Sequence, residues 1–171
     1  MLTAQAIIEL LHLVPHPEEG GFFAETWRSP ESLAAGQLPT RYHGPRAFGT
    51  AIHYLLTPGT FSAMHRLQSD EIFHLYLGGP VDMLHLSPDG AGREVRLGTD
   101  LAAGMRPQVV VERGTWQGAR LAPGAEFALM GCTVAPGFEY ADYEHGDRAE
   151  LVRAWPDWAG EIARLTTEKR P

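Results

Sequence analysis

The densest run of chemically capable side chains is SAMHRLQSDEIFHLYLG, holding Ser62, His65, Arg66, Asp70, Glu71, His74 and Tyr76. Five residues separate Gly59 from His65, and six separate Glu71 from Gly78. In a barrel this order places a histidine at the end of one strand and a carboxylate at the start of the next, both converging inside. An imidazole with a carboxylate suits a divalent Fe, Mn, Ni or Zn ion. The same two residues equally make a buried, hydrogen-bonded pair that orders the interior. His74 lies three residues after Glu71, so on a regular strand its side chain takes the opposite face. It reaches the cavity only through a bulge, and otherwise meets a second layer or a partner subunit. If His74 and Tyr76 line the cavity, they make a base and a phenolic acid for proton transfer.

Further along, Trp116 and Gln117 follow the tight ERG turn, Trp116 as core or cavity wall and Gln117 as a hydrogen-bonding group for a ligand. Ser62 has no nucleophile elbow around it, which argues against a serine hydrolase. Arg66 suits an anionic ligand or a surface ion pair. Glu25 and Arg28, in ETWRS, close one end of the barrel or support a subunit interface. Glu139, Asp142, Glu144 and Asp147 lack EF-hand spacing and read as a solvated face.

These side chains sit in a chain of 171 residues with a net charge of -7 and no basic run. That leaves no electrostatic footprint for a nucleic-acid backbone. Cys132, the single cysteine, stands in the apolar run ALMGCTVA and reads as a small buried hydrophobe with no need of an oxidising compartment. There is no signal-like segment and no apolar run near the ~20 residues of a membrane span. The expectation is a cytoplasmic protein that binds neither nucleic acid nor membrane, with residues 1–171 forming a single domain.

The elements that must position the site are strands. From residue 48 to about 135, short apolar runs alternate with PG, GGP, SPDGAG, AAG, ERG and APG turns, a rhythm that predicts a sandwich or small barrel. A helix is predicted over 3–13, capped by Thr3 and stopped by Pro15 and Pro17. Residues 30–46 read as a long surface loop. Asp147 is placed to cap a helix over RAELVRAW, and Pro156 to open a last helix.

The stretch around His65 resembles the first cupin motif: Gly59, His65, Glu71 and Gly78 fall on its pattern, with Leu67 at the second histidine. In the second motif Gly114 fits, while Glu112 replaces the proline, Gln117 the histidine and Leu121 the asparagine. A closer resemblance runs through EGGFFAETWRS, IHYLL, residues 61–86, residues 97–121 and GCTVAPGFEY. It is to a branch of the cupin superfamily usually described as a domain of unknown function.

The resemblance implies an all-β fold, a double-stranded β-helix or jelly-roll barrel with an N-terminal helix and C-terminal helices. It also implies a homodimer and structural similarity to sugar-nucleotide epimerases such as dTDP-4-dehydrorhamnose 3,5-epimerase. Because the exposed edge of a jelly roll is often protected by a second subunit, the FFAETW strand is the segment expected to cross over. The functional expectation is a small-molecule protein with its ligand cavity inside the barrel, an isomerase or epimerase acting on a carbohydrate-like or other polar anionic substrate. His74 and Tyr76 are its catalytic candidates, and Ser62, His65, Glu71, Trp116 and Gln117 its ligand-binding ones. His65 and Glu71 are also candidates to hold a divalent transition metal weakly. The alternatives are a non-catalytic metabolite-binding protein and a metal-dependent oxygenase.

Overall fold

The computed structural model describes residues 2–167. Its elements run α1 (Ala4–Leu10), β1 (Val14–Pro15), β2 (Phe22–Arg28), β3 (Ser32–Leu33), β4 (Arg46–Ala47), β5 (Thr50–Leu56), β6 (Phe61–Leu67) and β7 (Asp70–Gly78). They continue with β8 (Val81–Leu86), β9 (Gly92–Leu97), β10 (Gln108–Val111), β11 (Trp116–Leu121), β12 (Ala128–Ala135), β13 (Tyr143–His145), α2 (Arg148–Ala154) and α3 (Ala159–Arg164). Two large antiparallel sheets result, in the orders β1-β2-β5-β12-β7-β10 and β13-β6-β11-β8-β9. This is the jelly roll expected, with helices at both ends of the chain. The sheets face each other without closing into one hydrogen-bonded barrel.

Strand alternation sorts the side chains into three layers. Tyr54, Leu56, Phe73, Met83, Met130 and Cys132 meet between the sheets. The other face of the six-stranded sheet sends Leu55 and Leu129 against Ile7 and Leu13, so α1 covers part of it. The other face of the five-stranded sheet sends Met64, Leu84 and Leu86 against Leu151, Ile162 and Leu165 around α2 and α3. Strands covered on both faces lose their polar alternation, which is why these segments read as continuous apolar runs.

The helix caps follow the sequence signals. The Thr3 side chain accepts from the Ala6 amide, and the Asp147 carboxylate accepts from the amides of Ala149 and Glu150. The first helix ends earlier than the prolines suggest. His12 adopts φ 52°, its amide donates to the Glu9 carbonyl, and the Leu13 amide donates to the Ile8 carbonyl. This is a Schellman stop with histidine in the place usually taken by glycine. The last helical segment opens, as expected, at Pro156, with one 3-10 turn before α3.

One expectation needs correction. The segment over 30–46 is not free loop: β3 pairs with β4, and buried Arg46 grips Asp142 through two hydrogen bonds of 2.6 Å. The FFAETW strand, β2, pairs with β5 from Phe22 to Arg28.

Candidate functional site

The site is assembled by β6, β7, β11 and the turn before β2. The register of β6 against β11 pairs Gln117 with His65 and then Ala119 with Ser62, so β6 carries an extra residue between them. A bulge of this kind changes which face the following side chains take. Ser62 and His65, three residues apart, consequently both reach the Glu19 carboxylate: Ser62 Oγ donates to it at 3.4 Å, and His65 Nε2 lies 3.7 Å from it.

Glu19 is held by its own turn. The His16 imidazole accepts the backbone amides of Glu18 and Glu19 through Nδ1. The Glu19 carbonyl accepts the Ala63 amide at 2.8 Å, and the Gly20 carbonyl accepts the Tyr54 hydroxyl at 2.8 Å. A Cβ at Gly20 would lie 2.6 Å from the Phe61 carbonyl oxygen, and the residue has φ +91°. Only glycine permits both the conformation and the approach.

His65 is 1% exposed. Its Nδ1 lies 2.7 Å from the Ala63 carbonyl; a carbonyl only accepts, so Nδ1 carries a proton. Nε2 then faces Glu19 at 3.7 Å and Glu71 Oε2 at 4.0 Å, and the ring stacks on Tyr143 with centroids 5.3 Å apart. Burial works to lower the pKa of this histidine, but Glu19, Glu71 and the Ala63 carbonyl outweigh it and push it up to about 9. His65 is therefore an imidazolium at neutral pH, clamped between two carboxylates. Glu71 also accepts the Gln117 Nε2 amide at 2.7 Å. Cys132 stays a protonated thiol, because burial and then the charges of Glu71 and Glu19 push its pKa up.

A cavity of about 150 Å³ opens beside this group. Glu19, Glu71 and His16 line it, with apolar walls that include Phe23, Ile52 and Phe138, and with Arg28 among Glu25 and Glu139. The Arg28 guanidinium is fully engaged, donating to both Glu25 oxygens and to Glu139 Oε1. Four carboxylates thus stand against one committed guanidinium and the buried imidazolium. The lining is acidic.

The structure brings together Ser62, His65, Glu71 and Gln117, and separates the rest. His74 and Tyr76 do not line the cavity: they stack on each other over the opposite face of β7, with His74 beside Gln108 and Tyr76 beside His53. Tyr76 spreads over Gly131, which has no side chain to oppose it. The β7–β12 irregularity lies at Tyr76, beyond His74, so it does not turn the histidine inward. The acid–base roles expected of this pair in the cavity are withdrawn. Trp116 likewise faces the C-terminal helices, with Arg66 stacked over it at 4.5 Å.

Arg66 pairs with Glu144, and Glu139 and Asp142 pair with Arg28 and Arg46. The acidic segment is thus largely neutralised by arginines rather than simply solvated. Glu19, His16 and Tyr143 escaped sequence reasoning. The double glycine marked a turn, but nothing in a linear pattern shows that the turn docks across β6.

Of the positions expected to supply metal donors, Leu67 offers none, while Gln117 Nε2 donates to Glu71 and Gln117 Oε1 is buried without a hydrogen-bond partner among the described residues. His65 would release a proton on taking a metal. Among the described residues no three His, Cys, Asp or Glu side chains converge as metal ligands. As the side chains stand, Glu71 and His65 are neighbours in a charge cluster.

Comparison with known proteins agrees with this architecture. Residues 5–146 match the family described as Cupin superfamily (DUF985). Uncharacterized protein YML079W of Saccharomyces cerevisiae is 31% identical over 173 residues, covering 95% of this chain and 86% of that protein. The solved structure of protein SO0799 from Shewanella oneidensis superposes with a TM-score of 0.87 at 32% identity, covering 99% of this chain and 100% of that one. A hypothetical protein from Leishmania major gives the same TM-score at 30% identity, covering 98% and 100%. With the family model spanning most of its length, the chain belongs to the cupin superfamily, in the family described as DUF985.

Proposed function

We propose that the chain is an isomerase or epimerase acting by proton transfer on a small, uncharged, carbohydrate-like carbonyl compound held in the cavity. One observation carries this reading: two cavity carboxylates, Glu19 and Glu71, flank the buried His65 ring, whose Nε2 lies 3.7 Å from one and 4.0 Å from the other. Glu71 removes a proton from the carbon next to the carbonyl, leaving the electron pair as an enolate. His65 passes its proton to Glu19, which returns it to carbon. The proton on Glu71 then passes to His65 and restores the starting state. Carboxylates in apolar surroundings are effective general bases.

The substrate class follows from charge and size. An anionic substrate is disfavoured by the acidic lining and by the engagement of Arg28. A cavity of about 150 Å³ is smaller than the ~300–1,000 Å³ typical of drug-sized ligands, so a nucleotide-sized group stays outside. The test is wash-in of deuterium from D2O, followed by proton NMR, over a panel of short aldoses, ketoses and their deoxy forms. The expected result is loss of one C–H signal with wild type and loss of at least ~100-fold in rate with Glu71→Gln, as for other general bases. If a panel compound binds but exchanges nothing, the metabolite-binding reading replaces this one.

The assembly is proposed on separate grounds. The face of the six-stranded sheet beyond α1 leaves Trp27, Tyr76 and Val110 exposed. Exposed aromatic and aliphatic residues gathered on one sheet face mark an interaction surface. A homodimer through this face is the proposed state.

A further inference from the structure

We propose that a second binding site, for a small α-amino acid zwitterion with a polar side chain, lies around His85. It stands on the far side of Gln117 from His65: cross-strand pairing runs His65 to Gln117, Gln117 to His85 and His85 to Arg93. His85 shares the inward face of β8 with Val81 and Met83, where an apolar side chain would continue the pattern. It is 1% exposed, and neither ring nitrogen has a hydrogen-bond partner among the described residues. A buried imidazole left in this state is costly unless something polar meets it.

A recess of about 230 Å³ beside it is lined by His85, Ser87, Ala91, Arg93, Glu112 and Thr115. At about 30 Å³ per water this volume corresponds to roughly eight waters, enough for a compact polar molecule. Burial, and then the charge of Arg93, pull the pKa of His85 down to about 4. At neutral pH the ring therefore offers one donor and one acceptor. Its complement is a group that also does both, such as a carboxamide or a hydroxyl.

The recess wall carries two opposite charges. Arg93 and Glu112 make no side-chain ion pair among the described residues, in contrast to Arg28, Arg46, Arg66 and Arg96, which all do. A guanidinium suits a carboxylate through paired hydrogen bonds, and Glu112 suits an ammonium. The hydroxyls of Ser87 and Thr115 add adaptable contacts. The ligand that satisfies all of these carries a carboxylate, an ammonium and a short polar side chain. The site shares no charged group with the Glu19–His65–Glu71 cluster, so it stands or falls separately.

The test is calorimetric titration of the full chain with L-asparagine and L-glutamine, beside acetate and methylamine as half-ligands, together with 15N NMR of the histidine rings. We expect one zwitterion per chain, a shift of both His85 ring nitrogens on saturation, and weakening of tenfold or more in Arg93→Gln and in Glu112→Gln. Both of these residues are solvent-facing, so the variants fold. His85→Phe, which fills the recess, should abolish binding. Absence of heat and of a His85 shift with either amino acid would overturn the proposal. So would binding indifferent to Arg93→Gln, or acetate alone shifting His85 as far as the amino acids do.

Discussion

At the residue scale, the interior holds two histidines pushed in opposite directions, and their signs set the pH profile of stability. His65 has a folded pKa of about 9 against an ordinary value near 6.5. The stability it contributes is fully present below pH 6.5 and is lost as pH rises through 9. At about 1.4 kcal/mol per unit, the shift is worth about 3 kcal/mol. His85 has a folded pKa of about 4, so the unfolded chain takes up a proton first and stability falls as pH drops from 6.5 towards 4. Urea unfolding across this range should peak near pH 6.5, and His65→Gln should flatten the alkaline limb while leaving the acid limb in place. An unchanged alkaline limb in that variant would show that His65 does not carry it. Asp142→Ala strands the buried Arg46 guanidinium and should cost about 3–5 kcal/mol, read as a lowered urea midpoint.

At the element scale, what positions the site is one bulge and one docked turn. The pairing of His65 and Glu71 was legible from the strand order around them, and the cupin resemblance located Gln117. Ser62, a ligand-binding candidate from the sequence, reaches Glu19 together with His65 because of the extra residue in β6. A bulge leaves no mark in composition, which is also why His74 is open to two readings from sequence; Trp116, expected as core or cavity wall, takes the core place. Glu19 was invisible because its place depends on a contact between a turn and a distant strand. Gly20→Ala tests that contact. With φ +91° and a Cβ 2.6 Å from the Phe61 carbonyl, it should destabilise by about 2 kcal/mol or more, and in a panel-substrate assay it should slow exchange by displacing Glu19. Normal unfolding and exchange would mean that the turn adjusts without moving the carboxylate.

At the scale of the whole molecule, two sheets with helices packed against the outside of each leave one broad face partly uncovered. Strand β2 is paired by β1 only at Phe22 and Phe23, so its remaining edge lies open beside Trp27, and open edges are commonly covered by a partner. Light scattering should give twice the chain mass for wild type and one chain mass for Trp27→Glu combined with Val110→Lys. A monomeric wild type would remove the proposed interface. The overall architecture was the most legible feature of the sequence, since turn spacing and family motifs recur along much of its length. The acidity of the cavity was the least legible, because Glu25, Arg28 and Glu139 meet there only through folding.

The central claim is that a buried imidazolium shares its proton with Glu19 and Glu71, and the 15N spectrum of histidine-labelled protein at pH 7.5 addresses it directly. The account predicts that both ring nitrogens of His65 are protonated there, and that the ring titrates only near pH 9. A His65 ring protonated on Nδ1 alone at pH 7.5 would contradict it, leaving the cluster without the proton on which the proposed reaction depends.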